Sequence, residues 1–250
     1  MSLIATIAAA TGVAAGPWLR GVIYAHSVSY GQPLRSRCTR CGRPATRTRW
    51  HALTAVAPLR GRCPTCATHI GPRAGATELL TATVLAILAL RAPSPWVLAA
   101  WTWAALFGVA LALIDSAVLR LPTALTITAL TGTLILLAGA AVAAGQPDPL
   151  LRSLAAAAGL GLLYLLVVLA PGGGMGPGDA QLAPLIGACL GWLSVAAVVT
   201  ATLGAVLIAA TYVLVMLATR RLRRRDDVPY GVFMLLGAFA MLACGIAAGR

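Results

Sequence analysis

Two aspartates, Asp115 and Asp179, stand apart in a chain that holds only six acidic residues among 250. One closes an apolar run, Leu113-Ile114-Asp115, just ahead of Leu121-Pro122. The other follows Gly172-Gly-Gly-Met-Gly-Pro-Gly178. An ionisable side chain at membrane depth is costly and marks a functional site by default. Two carboxylates held together can hydrolyse a peptide bond. The ionised one takes a proton from water, and the protonated one polarises the scissile carbonyl. Close like charges enforce that one-proton state. Helix ends give a first assignment, since an N-terminus favours negative charge and a C-terminus disfavours it. Asp179 opens a helix and reads as the base; Asp115 closes one and reads as the acid. An ion pair between Arg120 and Asp115 reverses the roles. Gly174, Gly176 and Gly178 allow positive φ and close backbone approach, so an unwound segment there can pair with an extended substrate. The plain alternative is an interhelical loop with an acid at a helix start, where Asp is favoured anyway. Phosphate binding by these glycines is not supported, because no Lys-Ser/Thr follows and no strand precedes them.

A second constellation is Cys38-Thr-Arg-Cys41 with Cys63-Pro-Thr-Cys66. Two CxxC pairs at this separation have the spacing of a closed, structural, four-thiolate zinc site. A reducing compartment favours metal over disulfides, and a short loop without much core gains from a metal staple. Two disulfides or free thiols are the other reading. His51 and His69 lie nearby; His69, three residues after Cys66, reads as a competing ligand or a surface histidine. Cys189 and Cys244 sit singly in apolar runs and read as small hydrophobes.

The elements that must position these groups are membrane helices. The chain is 60% hydrophobic and 10% charged, with mean hydropathy +0.89. A soluble domain is ~25% charged. Apolar runs of ~20 residues predict an all-α polytopic membrane protein of about eight transmembrane helices with a small zinc-ribbon-like cytoplasmic loop. The expected spans are Ser2–Tyr24, Gly75–Leu90, Trp96–Ile114, Thr123–Ala144, Ser153–Ala170, Ala180–Leu190, Ser194–Thr219 and Tyr230–Gly249, separated by Pro/Gly-rich breaks. The stretch 180–217 reads either as two helices turning near Gly191–Ser194 or as one long helix with a re-entrant piece. Three units follow: a first transmembrane helix (1–25), a tetracysteine loop (26–74) and a seven-helix membrane core (75–250).

Net charge is +13, carried by 19 arginines and no lysine. The arginines cluster in loop 26–74 and in 220–225, the positive-inside pattern of a membrane protein rather than a nucleic-acid footprint. The rule puts both loops, Asp115 and Asp179 in the cytoplasm and the N-terminus outside. The first segment has no basic region ahead of its apolar run and so reads as an anchor rather than a cleaved signal. Membrane lipid is an expected partner, and nucleic acid is not.

The ordered set of motifs resembles the type IV prepilin peptidases, which are GxGD-type intramembrane aspartyl peptidases. The resemblance runs through Gly21-Val-Ile-Tyr24, the two CxxC pairs, Arg60-Gly-Arg-Cys63 and Glu78-Leu-Leu-Thr81. It continues through Leu113-Ile-Asp115 with Leu121-Pro122 and Leu125-Thr126, then Gly174-Met-Gly-Pro-Gly-Asp179 and Pro229-Tyr-Gly-Val-Phe233. It implies an eight-helix enzyme of the bacterial inner membrane that removes the short basic leader from prepilins or pseudopilins at the cytoplasmic face. It also implies Asp115 and Asp179 as the catalytic pair. The tetracysteine loop is typical of the long form, many of whose members N-methylate the new N-terminus with S-adenosylmethionine.

Departures are concentrated near these motifs. Thr123 stands where the family usually has a second acid, and Gln181 where a Lys is common. Arg20 stands near the usual Asn of the first helix, and Trp50-His-Ala-Leu-Thr-Ala-Val56 replaces an acid-Asn-Ile-Pro stretch. The loop departures leave methylation open. Glu78 is placed either to bind a basic leader or to make a structural pair, with Arg73 as the expected partner. Two other functional classes fit parts of the pattern: a transporter relaying protons through the aspartates, and a non-catalytic pilus or secretion assembly factor. Both acids at one membrane face, and the lack of inverted repeats, count against the transporter.

Overall fold

The computed structural model describes residues 2–46, 53–171, 175–223 and 227–244. Among these the chain is helical, with two isolated β-bridges, Arg37–Pro44 and Arg62–His69, in the tetracysteine loop. The helices are α1 (Ser2–Ala14), α2 (Gly16–His26), α3 (Ala76–Arg91), α4 (Pro95–Val118), α5 (Thr123–Ala144), α6 (Asp148–Leu169), α7 (Pro177–Gly191), α8 (Val195–Ala218) and α9 (Tyr230–Cys244).

Four of them, α4, α5, α6 and α8, are long and apolar enough to cross a membrane, or five spans if α1 and α2 count together. The expected number of about eight is therefore too high by this measure. Helices α3 and α7 have 16 and 15 residues, and the described part of α9 has 15. At 1.5 Å per residue they extend ~22–24 Å, short of a ~30 Å hydrocarbon layer. The expected first span is broken, with a 43° bend between α1 and α2. Pro17 in the first turn of α2 lacks the N–H that a continuous helix needs there.

Helix ends follow local chemistry. Ser94 and Ser194 cap α4 and α8 by accepting hydrogen bonds from Val97 N–H (3.3 Å) and Ala197 N–H (3.0 Å), as Ser does at N-caps. The stretch 180–217 is therefore two helices. Helix α6 begins at Asp148, five residues before the expected start, because Pro147 and Pro149 fall at its opening, where proline is tolerated. Leu119, at φ 52°, ends α4 and lets the chain turn into Leu121-Pro122.

Small residues set the packing. A Cβ on Gly191 would lie 2.9 Å from the Arg152 carbonyl oxygen, and one on Gly12 would lie 2.6 Å from the Ala82 nitrogen. Backbones this close require glycine, as in small-xxx-small membrane packing. They lock α7 onto α6 and α1 onto α3. The main core draws on every helix from α1 to α9 and centres on Trp101, Leu111, Ile114, Leu125 and Leu182. A smaller core of Tyr24, Ala57, Ile70 and the cysteines sits under the loop.

Candidate active site and tetracysteine centre

Asp115 comes from the last turn of α4 and Asp179 from the first turn of α7. Both are buried, at 5% and 7% exposure, and they lie close enough to interact electrostatically. Leu121 is the wedge that holds their surroundings together. A Cβ on Gly178 would lie 2.9 Å from Leu121 Cβ. A Cβ on Gly231, at the start of α9, would lie 3.0 Å from Leu121 Cδ1 and 3.0 Å from Asp115 Oδ2. The Leu-Pro step after α4 thus fits between two glycines, one beside each aspartate.

The backbone N–H groups of Gly231 and Val232 face the Asp115 carboxyl, while its Oδ2 has no hydrogen-bond partner among the described residues. A buried carboxylate oxygen free of protein partners is suited to water or substrate. Both aspartates have helix N-terminal amides beside them: Asp115 meets those of α9, and Asp179 lies in its own first turn. Helix position therefore does not sort acid from base as the sequence suggested. Arg120 does not sort them either. It donates to the carbonyls of Val28 and Ser29 at 3.4 Å and lies over the Tyr30 ring.

The glycines differ in role. Gly176 is extended, at φ −74° and ψ 148°, and is open to solvent. Gly178 is fixed by its contact with Leu121. Neither adopts positive φ, the property first invoked for them. Gly174 lies outside the described residues.

Sequence reading missed the pair Tyr164–Tyr230. These phenols from α6 and α9 are 3.1 Å apart, and both feel the charge of Asp179. A lone tyrosine in the apolar run of α6 was the available signal. It also treated Thr123 and Gln181 as separate departures, whereas the Thr123 hydroxyl donates to Gln181 Oε1 at 2.8 Å. The two positions form one contact between α5 and α7, next to Asp179.

Glu78 forms an ion pair with Arg20, not the expected Arg73, and accepts from the Gly75 N–H at 2.8 Å. Arg20 is fully buried and donates to the carbonyls of Pro58 (3.2 Å) and Leu59 (2.8 Å). It therefore joins α2, α3 and the tetracysteine loop.

That loop brings all four cysteines together. The sulfurs of Cys38, Cys41, Cys63 and Cys66 lie within 4.8 Å of one another, with Cys38–Cys66 at 3.5 Å and Cys41–Cys63 at 3.7 Å. A tetrahedral ion with ~2.3 Å metal–sulfur bonds needs sulfurs ~3.8 Å apart, so the donor set fits zinc. None of the four is in a disulfide. Hydrogen bonding by the Thr68 side chain and backbone brings the Cys66 thiol down to about 6, while Cys41 lies up at about 11, so it is the sulfur geometry that carries the fit. Gly42 at φ 69° and Ala67 at φ 56° close the two knuckles. His69 is not part of the sulfur cluster, and His51 lies outside the described residues. The loop is docked on α2 through Trp18 Nε1 to the Leu53 carbonyl at 2.7 Å and the Tyr24 hydroxyl to the Arg37 carbonyl at 2.9 Å.

Residues 102–217 match the Type IV leader peptidase family, and residues 10–92 match the Bacterial Peptidase A24 N-terminal domain. A prepilin leader peptidase/N-methyltransferase of Aeromonas salmonicida is 32% identical over 216 residues, covering 84% of this chain and 72% of the relative. One from Burkholderia pseudomallei is 33% identical over 218 residues, covering 84% and 67%. No solved structure matches the chain.

Proposed function

The chain belongs to the type IV leader peptidase family, and from that premise we propose that Asp115 and Asp179 cleave the leader peptide of prepilins or pseudopilins. The observation that carries this is the pair itself: two buried carboxylates from different helices, brought together around Leu121, one with an unpartnered oxygen. In the reaction one carboxylate draws a proton from a water placed between them. The other, protonated, donates to the scissile carbonyl oxygen. As the tetrahedral adduct collapses, the proton taken from water passes to the leaving amine. The two share their titration as a unit. Gly176, extended and open, is the backbone we assign to pairing with the substrate strand, together with Gly174.

The chain is a multi-pass protein of the bacterial inner membrane. We place its N-terminus outside and the tetracysteine loop, Asp115 and Asp179 at the cytoplasmic face. The contact of Arg120 with Val28 and Ser29 supports this by putting the aspartate end of α4 beside the arginine-rich loop. We assign residues 1–25 as the first transmembrane element, 26–74 as the loop and 75–250 as the peptidase core. Cys38, Cys41, Cys63 and Cys66 would hold a structural zinc ion, with no position left open for substrate. N-methylation of the new N-terminus with S-adenosylmethionine is the second activity we assign, on the relatives' names.

Intact-mass measurement of a co-expressed prepilin tests these assignments. Leader loss with the wild-type chain but not with Asp179→Asn is expected, with an added methyl group if the second activity is present. Leader loss that survives Asp179→Asn would remove Asp179 from the reaction.

A further inference from the structure

Ser153, Ala157, Leu160 and Tyr164 form the buried stripe of α6, with the spacing of one helix face. That stripe meets α7 in antiparallel steps. Gly191 packs on Arg152 and Ser153, Gly187 on Ala156 and Ala157, and Pro184 on Gly161. Each turn forward on α6 is thus matched by a turn back on α7. Tyr164, one turn beyond Gly161, comes level with the first turn of α7, which carries Asp179.

Tyr230 arrives from the other side. It opens α9, directly before Gly231, where a Cβ would lie 3.0 Å from Asp115 Oδ2. Its hydroxyl and that of Tyr164 are 3.1 Å apart. Burial decides which of the two donates. Tyr164 is 5% exposed, and Tyr230 is its hydrogen-bond partner among the described residues. A buried O–H finds an acceptor, so Tyr164 donates to Tyr230. Tyr230 is only partly buried. Its own proton is then free, between the turn that carries Asp179 and the glycine that abuts Asp115. Accepting from Tyr164 also makes Tyr230 a stronger donor, since hydrogen bonds in a chain polarise one another.

Resting on the leader-peptidase reading of the dyad, we propose that Tyr230 is a further catalytic residue, whose O–H donates to the scissile carbonyl oxygen as that oxygen gains charge in the tetrahedral adduct. Tyr164 is the positioning residue that holds it there. A carbonyl oxygen has two lone pairs, so it accepts from the protonated aspartate and from Tyr230 together. A donor aimed at developing charge lowers the barrier more than it tightens substrate binding. The phenol keeps its proton throughout, so no covalent step is added.

The test is steady-state cleavage of a prepilin by the full chain in detergent, with Asp179→Asn, Tyr230→Phe, Tyr164→Phe and Tyr212→Phe beside the unchanged chain. Tyr212, on α8, stacks on Phe233 of α9 with ring centroids 5.2 Å apart and is the control for losing a phenol nearby. Tyr230→Phe is expected to lower kcat by ~10²–10³-fold, the cost of one oxyanion donor, with KM unchanged. Tyr164→Phe is expected to lower it ~10-fold, and the double variant no further than Tyr230→Phe alone. Difluorotyrosine in place of Tyr230 keeps the hydroxyl and the packing, but its phenol ionises well below tyrosine's ~10. Once ionised it cannot donate. With Asp115, Asp179 and Tyr164 the same in both proteins, kcat is expected to fall at an alkaline pH where the unchanged chain still turns over. Unchanged kcat in Tyr230→Phe, a change in KM alone, an equal loss in Tyr212→Phe, or no new alkaline limb with difluorotyrosine overturns the proposal and leaves the peptidase reading standing. No cleavage by the unchanged chain, or equal cleavage by Asp179→Asn, overturns that reading and the proposal with it.

Discussion

Glu78→Gln separates two roles for one residue. The substitution keeps size and an oxygen to accept the Gly75 N–H, now at 2.8 Å, but removes the charge that faces Arg20. Arg20 has no exposure, and its remaining partners are the Pro58 and Leu59 carbonyls. Breaking a buried ion pair by removing one partner costs ~3–5 kcal/mol, because the other charge stays buried. The retained carbonyl bonds place Glu78→Gln near ~3 kcal/mol. At ~2–4 °C per kcal/mol for a chain of this size, the Tm should fall by roughly 6–12 °C. Arg20→Met combined with Glu78→Gln should be milder than the two single losses added, since no uncompensated charge remains. The assay is thermal unfolding of purified protein in one detergent, alongside KM for a substrate with a basic leader and for one whose leader is neutral. An unchanged Tm, with KM raised only for the basic leader, would refute the structural pair and return Glu78 to leader recognition.

Asp115→Asn and Asp179→Asn should each lower kcat by ~10²–10⁴-fold or more, and the double variant should be no worse than the weaker single variant, because the carboxylates act as a unit; single-turnover cleavage checks this, and multiplying effects would contradict it. Protein purified with its thiols protected should hold close to one zinc per chain, and chelation or Cys41→Ser should loosen the contacts of the loop with α2, read as faster amide exchange at Ala57, whose N–H bonds to the Pro17 carbonyl at 2.9 Å. Unchanged exchange after metal loss would show that the loop docks without it. Thr123→Asp and Gln181→Lys should rescue each other by roughly 0.5 kcal/mol, the scale of an exposed ion pair, in a double-mutant cycle on unfolding; zero coupling would mean that their 2.8 Å contact carries no energy.

Much of this architecture is written in the order of apolar runs and breaks. Helix α5 begins and ends where Leu121-Pro122 and Gly145 bracket it, because proline and glycine act through local sterics that need no tertiary knowledge. The cysteine spacing was equally legible, since two CxxC knuckles constrain their own backbone. The number of full spans was not. Apolar content reports what a helix touches, not how long it is, and α7, packed against α5, α6 and α9, reads as an apolar run while stopping at 15 residues.

The dyad was legible as two costly acids, 64 positions apart in the chain, but not as a geometry. What sets that geometry is a contact no single motif contains: Leu121 seated between Gly178 and Gly231, where a Cβ on either glycine would collide with it. The amides of α9 that face Asp115 likewise arrive from more than a hundred residues downstream. A helix-end argument made on α4 alone could not include them. The same tertiary arrangement places Thr123 against Gln181 and Tyr164 against Tyr230, so two apparent departures become one contact and one unremarked tyrosine becomes half of another. Residues of each contact should therefore vary in pairs. A change at Leu121 should disturb both aspartates at once, because one side chain fills the space beside each.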